Sequence, residues 1–312
     1  MTSPLISERK TLQIVDQKNK ANEELERELE AAIDPWLEHM RWRPDFAKWR
    51  EGRLWQEKKQ KRTLAALKLF LEQTGRTRPD LQGLKILDLG CGMGGLSTAL
   101  ALEGAQVTSL DYNPAYCQIT RLRGQRYNLK LGPVNAAGES LPFADGSFEL
   151  VICLDVLEHV QQPEKLLAEV SRVLASGGLL YLTAINRYAF NDPHYHVRGV
   201  NWLPRSLAPR YLNLLGRQKD NSRFTDRQTL NEMHYYRYAE LLPLARRHHF
   251  ARLEELGELE LTAPAQPLGG WKKQLYNLLK KARLLTPAYK LYRSYYKGTY
   301  QLMLLKAGQI GK

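Results

Sequence analysis

Two groups of residues in the 312-residue chain have types and spacing suited to chemistry. The first is the stretch "LKILDLGCGMGG", residues 84–95, where Gly90, Gly92 and Gly95 satisfy G-x-G-x-x-G after a short apolar run. Glycines at a turn from a strand to a helix let the backbone approach a ligand closely, and the following helix offers free N–H groups. On its own this motif does not distinguish between classes of nucleoside cofactor.

Two aspartates near these glycines narrow the choice. Asp111 ends the next predicted strand, 21 residues after Gly90, where a carboxylate can accept hydrogen bonds from the two ribose hydroxyls of an adenosine. Asp88 lies where a dinucleotide would place its pyrophosphate, and a carboxylate beside phosphate in a partly desolvated cleft is strongly repulsive. S-adenosylmethionine instead carries an ammonium and a sulfonium there, so Asp88 favours that cofactor. The alternative is that Asp88 only caps the next helix.

The second group is "LDVLEHV", residues 154–160, which supplies Asp155, Glu158 and His159. If this turn is helical, the spacing places all three side chains on one side. A hydroxyl acceptor needs a base, and we predict His159 in that role, oriented by Glu158 or Asp155. Two further alternatives are that Glu158 and His159 only brace the following helix and loop, or contact substrate without moving a proton.

A long aromatic and basic segment, "NRYAFNDPHYHVRGVNWLPR", residues 186–205, follows the fifth predicted strand. Loops at this edge carry substrate contacts more often than core packing. His194 and His196 are therefore alternates for the base. Tyr195 and Trp202 are predicted walls for a flat or hydrophobic acceptor, although an aromatic lid that packs on itself is equally consistent with the sequence.

The elements that position these residues follow from hydrophobic patterning. Short apolar runs alternate with amphipathic segments after Gly83, which predicts βαβ units and a doubly wound α/β sheet. Strands are expected near 85–89, 106–111, 129–135, 149–154 and 178–185, and helices near 96–103, 115–127 and 163–175. Gly104 and Gly177 with Gly178 lie where helices should stop. Parallel strands with right-handed crossovers bring their carboxyl ends, and hence both groups, to one edge.

Helical periodicity also precedes and follows this region. Helices are predicted near 23–33 and 50–72, the latter ending at Gly75, and another is predicted in "RYAELLPLARRHHF", residues 237–250. "ARLEELGEL", residues 251–259, is predicted to be a strand, and "GTYQLMLLKAG", residues 298–308, a last strand after a tight turn.

Composition excludes several classes of protein. The chain is 43% hydrophobic, has no apolar run of membrane-spanning length, and carries charges in "MTSPLISERK", so we expect a cytoplasmic protein. Cys91, Cys117 and Cys153 form no C-x-x-C pair and are expected to be buried free thiols. The net charge of +13 indicates an anionic partner of some kind.

Much of the positive charge is concentrated near the end of the chain. Residues 271–312 contain ten Lys and Arg and no Asp or Glu, and "WKKQLYNLLKKARLL" has the periodicity of a basic amphipathic helix. Such a helix can pack its apolar face on the core as a substrate lid, which is its usual fate. It can also lie on an anionic membrane surface, as a peripheral enzyme would require. Nucleic acid is the least favoured partner, because no RNA-binding module is evident.

Four segments together resemble a known family. "ILDLGCGMGG", "VTSLDYNP", "AGESLPFADGSFELVICLDVLEHV" and "EVSRVLASGGLLYLTAINR" are similar to signature segments of class I S-adenosylmethionine-dependent methyltransferases, in the branch with the ubiquinone and menaquinone O-methyltransferases. The resemblance covers 85–187 strongly and the region after 236 more loosely. It implies a Rossmann-like sheet of seven strands with the last one antiparallel, N-terminal helices, and a helical insertion before the last strand.

The resemblance also implies roles for particular residues. By this resemblance, Asp88, Gly90, Gly92 and Gly94 would line the methionine and adenosine of the cofactor, and Asp111 would bind the ribose. Tyr112 would lie beside the adenine, with Gly138 and Glu139 at its edge. Cys153 and Leu154 would offer backbone groups near the amino-acid end. The family often has Asp where this chain has Ala137. Glu139 or a backbone carbonyl then receives the adenine amino group, or adenine is held less tightly.

These features together predict an organisation and a function. The expected parts are an N-terminal helical cap (1–80), an S-adenosylmethionine-binding core (81–187), a substrate-side loop or lid (188–235), and a C-terminal part (236–312) with the basic insertion at 262–297. The expected activity is methyl transfer to a hydroxyl oxygen, or less readily a nitrogen, of a small metabolite. Some of the similar quinone O-methyltransferases have a cluster like Asp155, Glu158 and His159 that is associated with a divalent cation, so these residues are candidate metal ligands by resemblance. Metal dependence and peripheral membrane association are left open. The alternatives are an RNA or lipid-linked acceptor, and a non-catalytic module that binds the cofactor. The sequence predicts neither the acceptor nor the oligomeric state.

Overall fold

The computed structural model describes residues 22–73, 80–217, 228–262 and 270–307, and contains one seven-stranded sheet. Its strands are β1 (Lys85–Leu89), β2 (Gln106–Asp111), β3 (Val134–Asn135), β4 (Phe148–Cys153), β5 (Leu174–Ile185), β6 (Phe250–Glu255) and β7 (Thr299–Lys306). Their order is β3-β2-β1-β4-β5-β7-β6, and β7 runs antiparallel to both neighbours. The predicted fold class, with its antiparallel last strand, is confirmed.

The helices flank the sheet and include an N-terminal group. The first covers residues 22–37 (α1). The others are α2 (Phe46–Leu54), α3 (Lys61–Gln73), α4 (Gly95–Leu102), α5 (Pro114–Gln125), α6 (Pro163–Val173), α7 (Ala208–Leu214), α8 (Tyr238–Arg247), α9 (Leu256–Thr262), α10 (Gly270–Lys281) and α11 (Leu285–Tyr295). None of the helices in these described ranges is both long and apolar enough to cross a bilayer.

Both faces of the sheet are buried, as expected of central parallel strands. In β1, Leu87 belongs to one apolar cluster with α6 and α8, whereas Ile86 belongs to another with α3 and α4. Adjacent side chains point to opposite faces of a strand, which explains this division. The register aligns Leu89 with Leu110 and Cys153, so the carboxyl ends of β1, β2 and β4 lie side by side. The residues that follow these ends are the candidates for chemistry.

Several predicted element boundaries are wrong. The strand expected over 129–135 has only two residues, because Pro133 lacks the N–H group that a strand ladder needs. The helix expected to reach residue 175 ends at Val173, and β5 begins at Leu174. Gly177 and Gly178 therefore lie inside β5 rather than at a helix stop. The strand expected over 251–259 ends at Glu255, where α9 begins.

The helix expected over 50–72 is interrupted. It comprises the end of α2, a 3-10 turn at Gln56–Lys59, and α3, while its predicted stop at Gly75 lies outside the described residues. The interruption turns the Glu57 side chain inward, where it forms a buried ion pair with Arg123 of α5 at 2.5 Å. Arg123 also donates to the carbonyl of Met93 in the glycine loop at 2.7 Å. The N-terminal helices are thereby fixed against the glycine loop.

The basic insertion is helical, as predicted. In α10, Trp271 and Leu278 are 68% and 64% exposed, so the described residues do not pack over its apolar face. The described part of α10 does not show the packed apolar face that the lid interpretation expects.

Candidate active site

The glycine loop after β1 has left-handed backbone at Gly90 (φ 75°) and Gly92 (φ 52°). A Cβ atom at Gly90 would collide with Val156, which follows β4, so the loop and the β4 turn are in close contact. A Cβ atom at Gly92 would meet nothing within 4 Å. The backbone at Gly92 therefore faces unfilled space, as a surface that receives a ligand should.

Asp111, at the end of β2, holds this loop in place. Its two carboxylate oxygens accept hydrogen bonds from the backbone N–H groups of Gly92 (2.8 Å) and Asn113 (2.9 Å). Asn113 in turn caps α5 by accepting from Ala115 N at 3.0 Å. The role predicted for Asp111 was ribose binding, and the structure adds a structural role that the sequence did not indicate.

Asp88 is buried at 4% exposure and accepts a hydrogen bond from Ser97 Oγ at 2.5 Å. Ser97 lies in the first turn of α4, so this hydrogen bond joins the end of β1 to that helix through two side chains. Burial raises the pKa of Asp88 to about 6, and the negative charge of Asp111 contributes in the same direction. Asp88 is therefore mainly ionised at neutral pH, in a site where a cation would relieve the cost of that charge.

The "LDVLEHV" segment is not helical, although the predicted grouping of its three polar side chains assumed a helix. Residues 157–159 form a turn, and Asp155 has a φ of 55°. The backbone N–H of Asp155 donates to Thr183 Oγ1 (2.6 Å), and the Thr183 hydroxyl donates to its carboxylate (3.2 Å). Partial desolvation and the nearby charge of Glu158 raise the pKa of Asp155. Asp155 therefore lies near Glu158, His159 and His194, which act on its charge, but it is not one of the three residues whose ligand atoms lie within 4.8 Å of one another.

Glu158, His159 and His194 converge instead. One ligand atom from each lies within 4.8 Å of the others. The two imidazole rings are 5.1 Å apart and nearly perpendicular, and Glu158 Oε1 is 3.6 Å from His194 Nε2. Glu158 is 1% exposed, and its Oε2 atom has no hydrogen-bond partner among the described residues. A buried carboxylate oxygen without a partner is costly, so this cluster is arranged to receive a donor or a cation.

Gln228 orients His159, a role predicted for Glu158 or Asp155. Its amide Nε2 donates to the backbone carbonyl of His159 at 2.7 Å, which leaves its Oε1 2.9 Å from His159 Nδ1. Because the carbonyl can only accept, the amide orientation is fixed, and Nδ1 must carry the proton. His159 Nε2 therefore retains its lone pair. No local sequence signal links Gln228 to a histidine 69 positions earlier.

Asp192 organises the loop that carries His194. Its side chain is fully buried and accepts hydrogen bonds from the backbone N–H groups of His194 (2.9 Å) and Tyr195 (2.7 Å) and from the hydroxyl of Tyr235 (2.9 Å). His196, with a φ of 53°, is exposed. Of the two predicted alternates, the loop brings His194 to Glu158 and leaves His196 outside the cluster.

The two predicted aromatic walls have different environments. Tyr195 is 7% exposed and packs in an apolar cluster with residues such as Val200 and Leu212, so it is part of the loop's own core. Trp202 is 53% exposed, and its indole N–H donates to the carbonyls of Tyr188 (2.8 Å) and Tyr295 (3.2 Å). The self-packing alternative holds for Tyr195, and only Trp202 remains available on the surface.

The remaining predicted cofactor residues lie along the same edge. Tyr112 is 60% exposed just after β2, Cys153 is buried at the end of β4 and Leu154 follows it, partly buried. Glu139 accepts from Gln161 N at 3.0 Å, so this carboxylate joins the turn after β3 to the segment before α6. Glu139 has a structural partner that its predicted adenine contact did not anticipate.

Comparison with known proteins decides the class of this site. Residues 87–182 match the family model described as a methyltransferase domain. This stretch is a methyltransferase domain. The predicted resemblance to methyltransferases is thereby confirmed for residues 87–182. The matched residues include the glycine loop, Asp111 and the cluster members Glu158 and His159.

Relatives of the methyltransferase domain include curated ubiquinone biosynthesis O-methyltransferases. That of Xanthomonas oryzae pv. oryzae is 38% identical over 111 residues, which cover 35% of this chain and 46% of the relative. That of Xanthomonas euvesicatoria pv. vesicatoria is 34% identical over 140 residues, covering 44% and 57%. The chain thus spans about half the length of the curated relatives that it matches.

Solved structures are more distant. The magnesium protoporphyrin IX methyltransferase of Synechocystis PCC 6803, solved with S-adenosylhomocysteine, is 17% identical, with a TM-score of 0.47 and coverage of 89% of this chain and 95% of that one. A phosphoethanolamine N-methyltransferase of Haemonchus contortus is 15% identical, with a TM-score of 0.48 and coverage of 79% and 53%. At this level of similarity neither structure bears on the acceptor.

The residues of the methyltransferase domain also allow a metal site to be assessed. Among the described residues, the candidate ligands are Glu158, His159 and His194, so His194 replaces Asp155 in the predicted set. Two imidazoles and one carboxylate suit a divalent transition metal. Gln228 leaves His159 Nε2 free for either a metal or a proton, so the geometry alone is compatible with both.

A cavity of about 450 Å³ lies at the opposite edge of the sheet from the glycine loop. It is lined by residues at the beginnings of strands, including Lys85 and Gln106, together with Lys130 and Phe148. None of the predicted site residues lines it. The candidate chemistry of the methyltransferase domain is confined to the carboxyl edge.

Proposed function

We propose that this chain is an S-adenosylmethionine-dependent methyltransferase that methylates a hydroxyl oxygen of a small molecule, with His159 as the general base. The observation that carries the proposal is the hydrogen bonding between Gln228 and His159. It places the proton of the neutral ring on Nδ1 and leaves the Nε2 lone pair available, in a cluster where Glu158 Oε2 has no partner among the described residues. The O-methyltransferase names of the curated relatives support an oxygen acceptor.

The residues at the glycine loop fit the cofactor. S-adenosylmethionine supplies, when bound, an electrophilic methyl group on a positively charged sulfur. Asp88 provides a buried negative charge for the cationic end, and Gly92 provides backbone without a side chain in the way. A dinucleotide would bring phosphate toward the same carboxylate, which is unfavourable. The ionised Asp88 is the main reason to prefer S-adenosylmethionine.

The proposed chemistry requires one proton transfer. The acceptor oxygen forms a bond to the methyl carbon while the carbon–sulfur bond breaks, and the electron pair of that bond stays on sulfur. His159 Nε2 takes the hydroxyl proton. The Glu158 carboxylate stabilises the resulting imidazolium, because a nearby negative charge favours the protonated ring. The 154–159 turn, in contact with Gly90 through Val156, holds the His159 backbone in a fixed position relative to the glycine loop that would bind the cofactor.

We further propose a phenolic hydroxyl as the acceptor, in line with the relatives' part in ubiquinone biosynthesis. The test is transfer of an isotopically labelled methyl group from S-adenosylmethionine to a panel of catechols and phenols, with primary amines and an RNA oligomer as competing acceptors. Labelled phenol ethers support the proposal. Labelled amines or RNA overturn the choice of oxygen, and cofactor binding without any labelled product leaves a non-catalytic binding module.

A further inference from the structure

The segment between β6 and β7 exposes an unusual number of large apolar side chains. The described residues of α10, α11 and the turn between them include eight large apolar or aromatic residues that are at least 44% exposed: Trp271, Leu275, Leu278, Leu284, Leu291, Tyr292, Tyr295 and Tyr296. Scattered exposed apolar residues are normal, but a concentrated patch marks an interaction site. We call this patch the hairpin face.

The hairpin face is strongly basic as well as apolar. The exposed basic residues on the two helices and the turn between them are Lys273, Lys280, Lys281, Arg283 and Lys290. No Asp or Glu occurs anywhere from residue 271 to residue 312. A partner must therefore offer both apolar volume and negative charge.

The second of the two helices, α11, is held to the body of the protein, and α10 is joined to α9 by the hydrogen bond from the Tyr276 hydroxyl to the Leu261 carbonyl at 2.8 Å. Arg293 of α11 is buried, pairs with Glu258 at 2.5 Å, and lies over the ring of Tyr238. Asn186, just after β5, donates to the carbonyls of Arg293 (3.0 Å) and Lys297 (2.8 Å). These contacts fix the inner side of α11. The exposed side chains therefore form the outer surface of an anchored element.

The hairpin face is continuous with the loop that carries His194. Phe190 of that loop stacks on Tyr296 with ring centroids 5.0 Å apart, and Trp202 donates to the carbonyl of Tyr295. Beyond Trp202, α7 ends in Leu214, which is 84% exposed, and residues 193–217 contain no Asp or Glu. An exposed apolar surface without acidic residues thus extends from the insertion to the substrate-side loop.

We propose that the hairpin face docks on the surface of an anionic lipid bilayer. Lysine and arginine are attracted to anionic headgroups, tryptophan and tyrosine suit the interface, and leucine side chains enter the acyl boundary. A second copy of the chain would bring the same positive charges into contact and is disfavoured. Nucleic acid satisfies the charges and some aromatic rings, but it leaves Leu275, Leu278 and Leu291 without apolar partners.

Docking does not depend on the proposed function, because vesicle binding requires no methyl acceptor. Where the proposed function also holds, the continuity with the His194 loop turns the site toward the bilayer and favours an acceptor carried by a lipid tail. That consequence rests on the proposed function. A protein that binds vesicles but has no transferase activity would overturn the function and leave the docking proposal standing.

The test is flotation of the full chain with phosphatidylcholine vesicles and with vesicles containing phosphatidylglycerol. Wild-type protein is expected to float with the anionic vesicles, to float about 10-fold less with the neutral ones, and to be released by high salt. The variant Trp271→Ser/Leu278→Ser/Leu291→Ser and the variant Lys280→Gln/Lys281→Gln are each expected to lose about 10-fold in bound fraction. Circular dichroism checks that both variants remain folded.

Matched controls replace exposed aromatic and basic side chains outside the hairpin face. Trp42 is 70% exposed on the N-terminal helices, so Trp42→Ser is the apolar control, and Lys61→Gln/Lys130→Gln is the charge control. Both are expected to bind as wild type does. Three outcomes overturn the proposal: no flotation of the wild type, equal loss in control and hairpin-face variants, or tight binding to an RNA oligomer that the apolar substitutions do not weaken. A dimer that only the hairpin-face variants dissociate would also overturn it, in favour of a second copy.

Discussion

Asp88 is the residue whose ionisation matters most for cofactor choice. Its pKa of about 6 lies roughly two units above that of an unfolded aspartate, equivalent to about 3 kcal/mol. The folded state binds this proton more tightly, so its contribution to stability is present at low pH and is lost as pH rises from about 4 to about 6. Above that range the protein carries a buried, poorly compensated charge, which a cationic ligand would stabilise.

We therefore expect Asp88→Asn to separate stability from binding. At pH 7.5 the ligand-free variant should unfold at a higher temperature than the wild type, and the gain should shrink toward pH 4.5, because only the wild type pays for ionisation. Its affinity for S-adenosylmethionine should fall by about 10-fold or more, since an opposite charge is lost. Differential scanning calorimetry and titration calorimetry measure these quantities. Unchanged affinity together with unchanged stability would show that Asp88 is neither charged nor near the ligand.

At the cluster, His159→Gln should lower kcat by about 100-fold or more while leaving cofactor affinity within about 2-fold, because the base acts in the chemical step. Gln228→Ala should lower kcat by less than His159→Gln does. Gln228→Asn and Gln228→Glu, which retain a hydrogen-bond acceptor, should lose less activity than Gln228→Ala. His194→Gln and a chelator test the metal alternative. We expect the rate to survive chelation, and a rate that disappears with a chelator and returns with a divalent cation would contradict the role of His159 as base.

At the scale of elements, the glycine loop provides a matched pair of substitutions. Gly90→Ala and Gly92→Ala both place a side chain at positive φ, but only the Cβ at position 90 meets protein, at Val156. We expect Gly90→Ala to lower the melting temperature clearly more than Gly92→Ala. Gly92→Ala should lose cofactor affinity with a small loss of stability, because its Cβ occupies ligand space. Equal effects of the two variants on both properties would contradict this assignment.

The contact between the N-terminal helices and the loop depends on a buried ion pair. Arg123→Met leaves Glu57 buried without its main partner, and we expect a loss of about 3 kcal/mol in unfolding free energy. The exposed pair of Lys68 with Glu103, at 2.7 Å, is the control, and Lys68→Met should cost less than about 1 kcal/mol. Urea unfolding measures both. Similar losses in the two variants would mean that burial adds nothing to the Arg123 pair.

The positions along the chain and the parallel arrangement of the central strands were predictable, because hydrophobic periodicity and glycine position are local properties. The interruption at Gln56–Lys59 was not, since its cause is an ion pair between residues 66 positions apart. The end of β6 at Glu255 likewise depends on distant partners, because Glu255 is buried against Lys297 and Tyr289 of the insertion. Local patterns indicate which element forms, and distant charges decide where it stops.

The candidate site divides in the same way. Asp88, Asp111 and the glycines stand at fixed positions relative to predicted strands, so their placement at the carboxyl edge was predictable. His194 and Gln228 come from segments far from Glu158 and His159 along the chain, so only the fold could bring them together. Asp155 was grouped with Glu158 on an assumed helix, and its positive φ removes it from that arrangement.

At the scale of the whole molecule, acidic and basic chemistry are separated. Buried acidic side chains lie at the carboxyl edge of the sheet, at Asp88, Asp111 and Glu158, whereas the exposed surface of the insertion is basic and apolar. The interior of the site is thus suited to a cationic cofactor, while the outer face is suited to an anionic surface.

Neutralising Lys280 and Lys281 is therefore expected to leave S-adenosylhomocysteine affinity unchanged within about 2-fold, as measured by calorimetry, because screened exposed charges have little effect at a distance. A larger loss would mean that the insertion covers the cofactor.

The most direct test of the central claim is titration calorimetry of the full chain at pH 7.5 with S-adenosylhomocysteine and, separately, with NADH. We expect micromolar binding of S-adenosylhomocysteine, weakened in Asp88→Asn, and no measurable binding of NADH. Binding of NADH across the glycine loop, with no response to S-adenosylhomocysteine, would contradict the proposal that Asp88 selects S-adenosylmethionine.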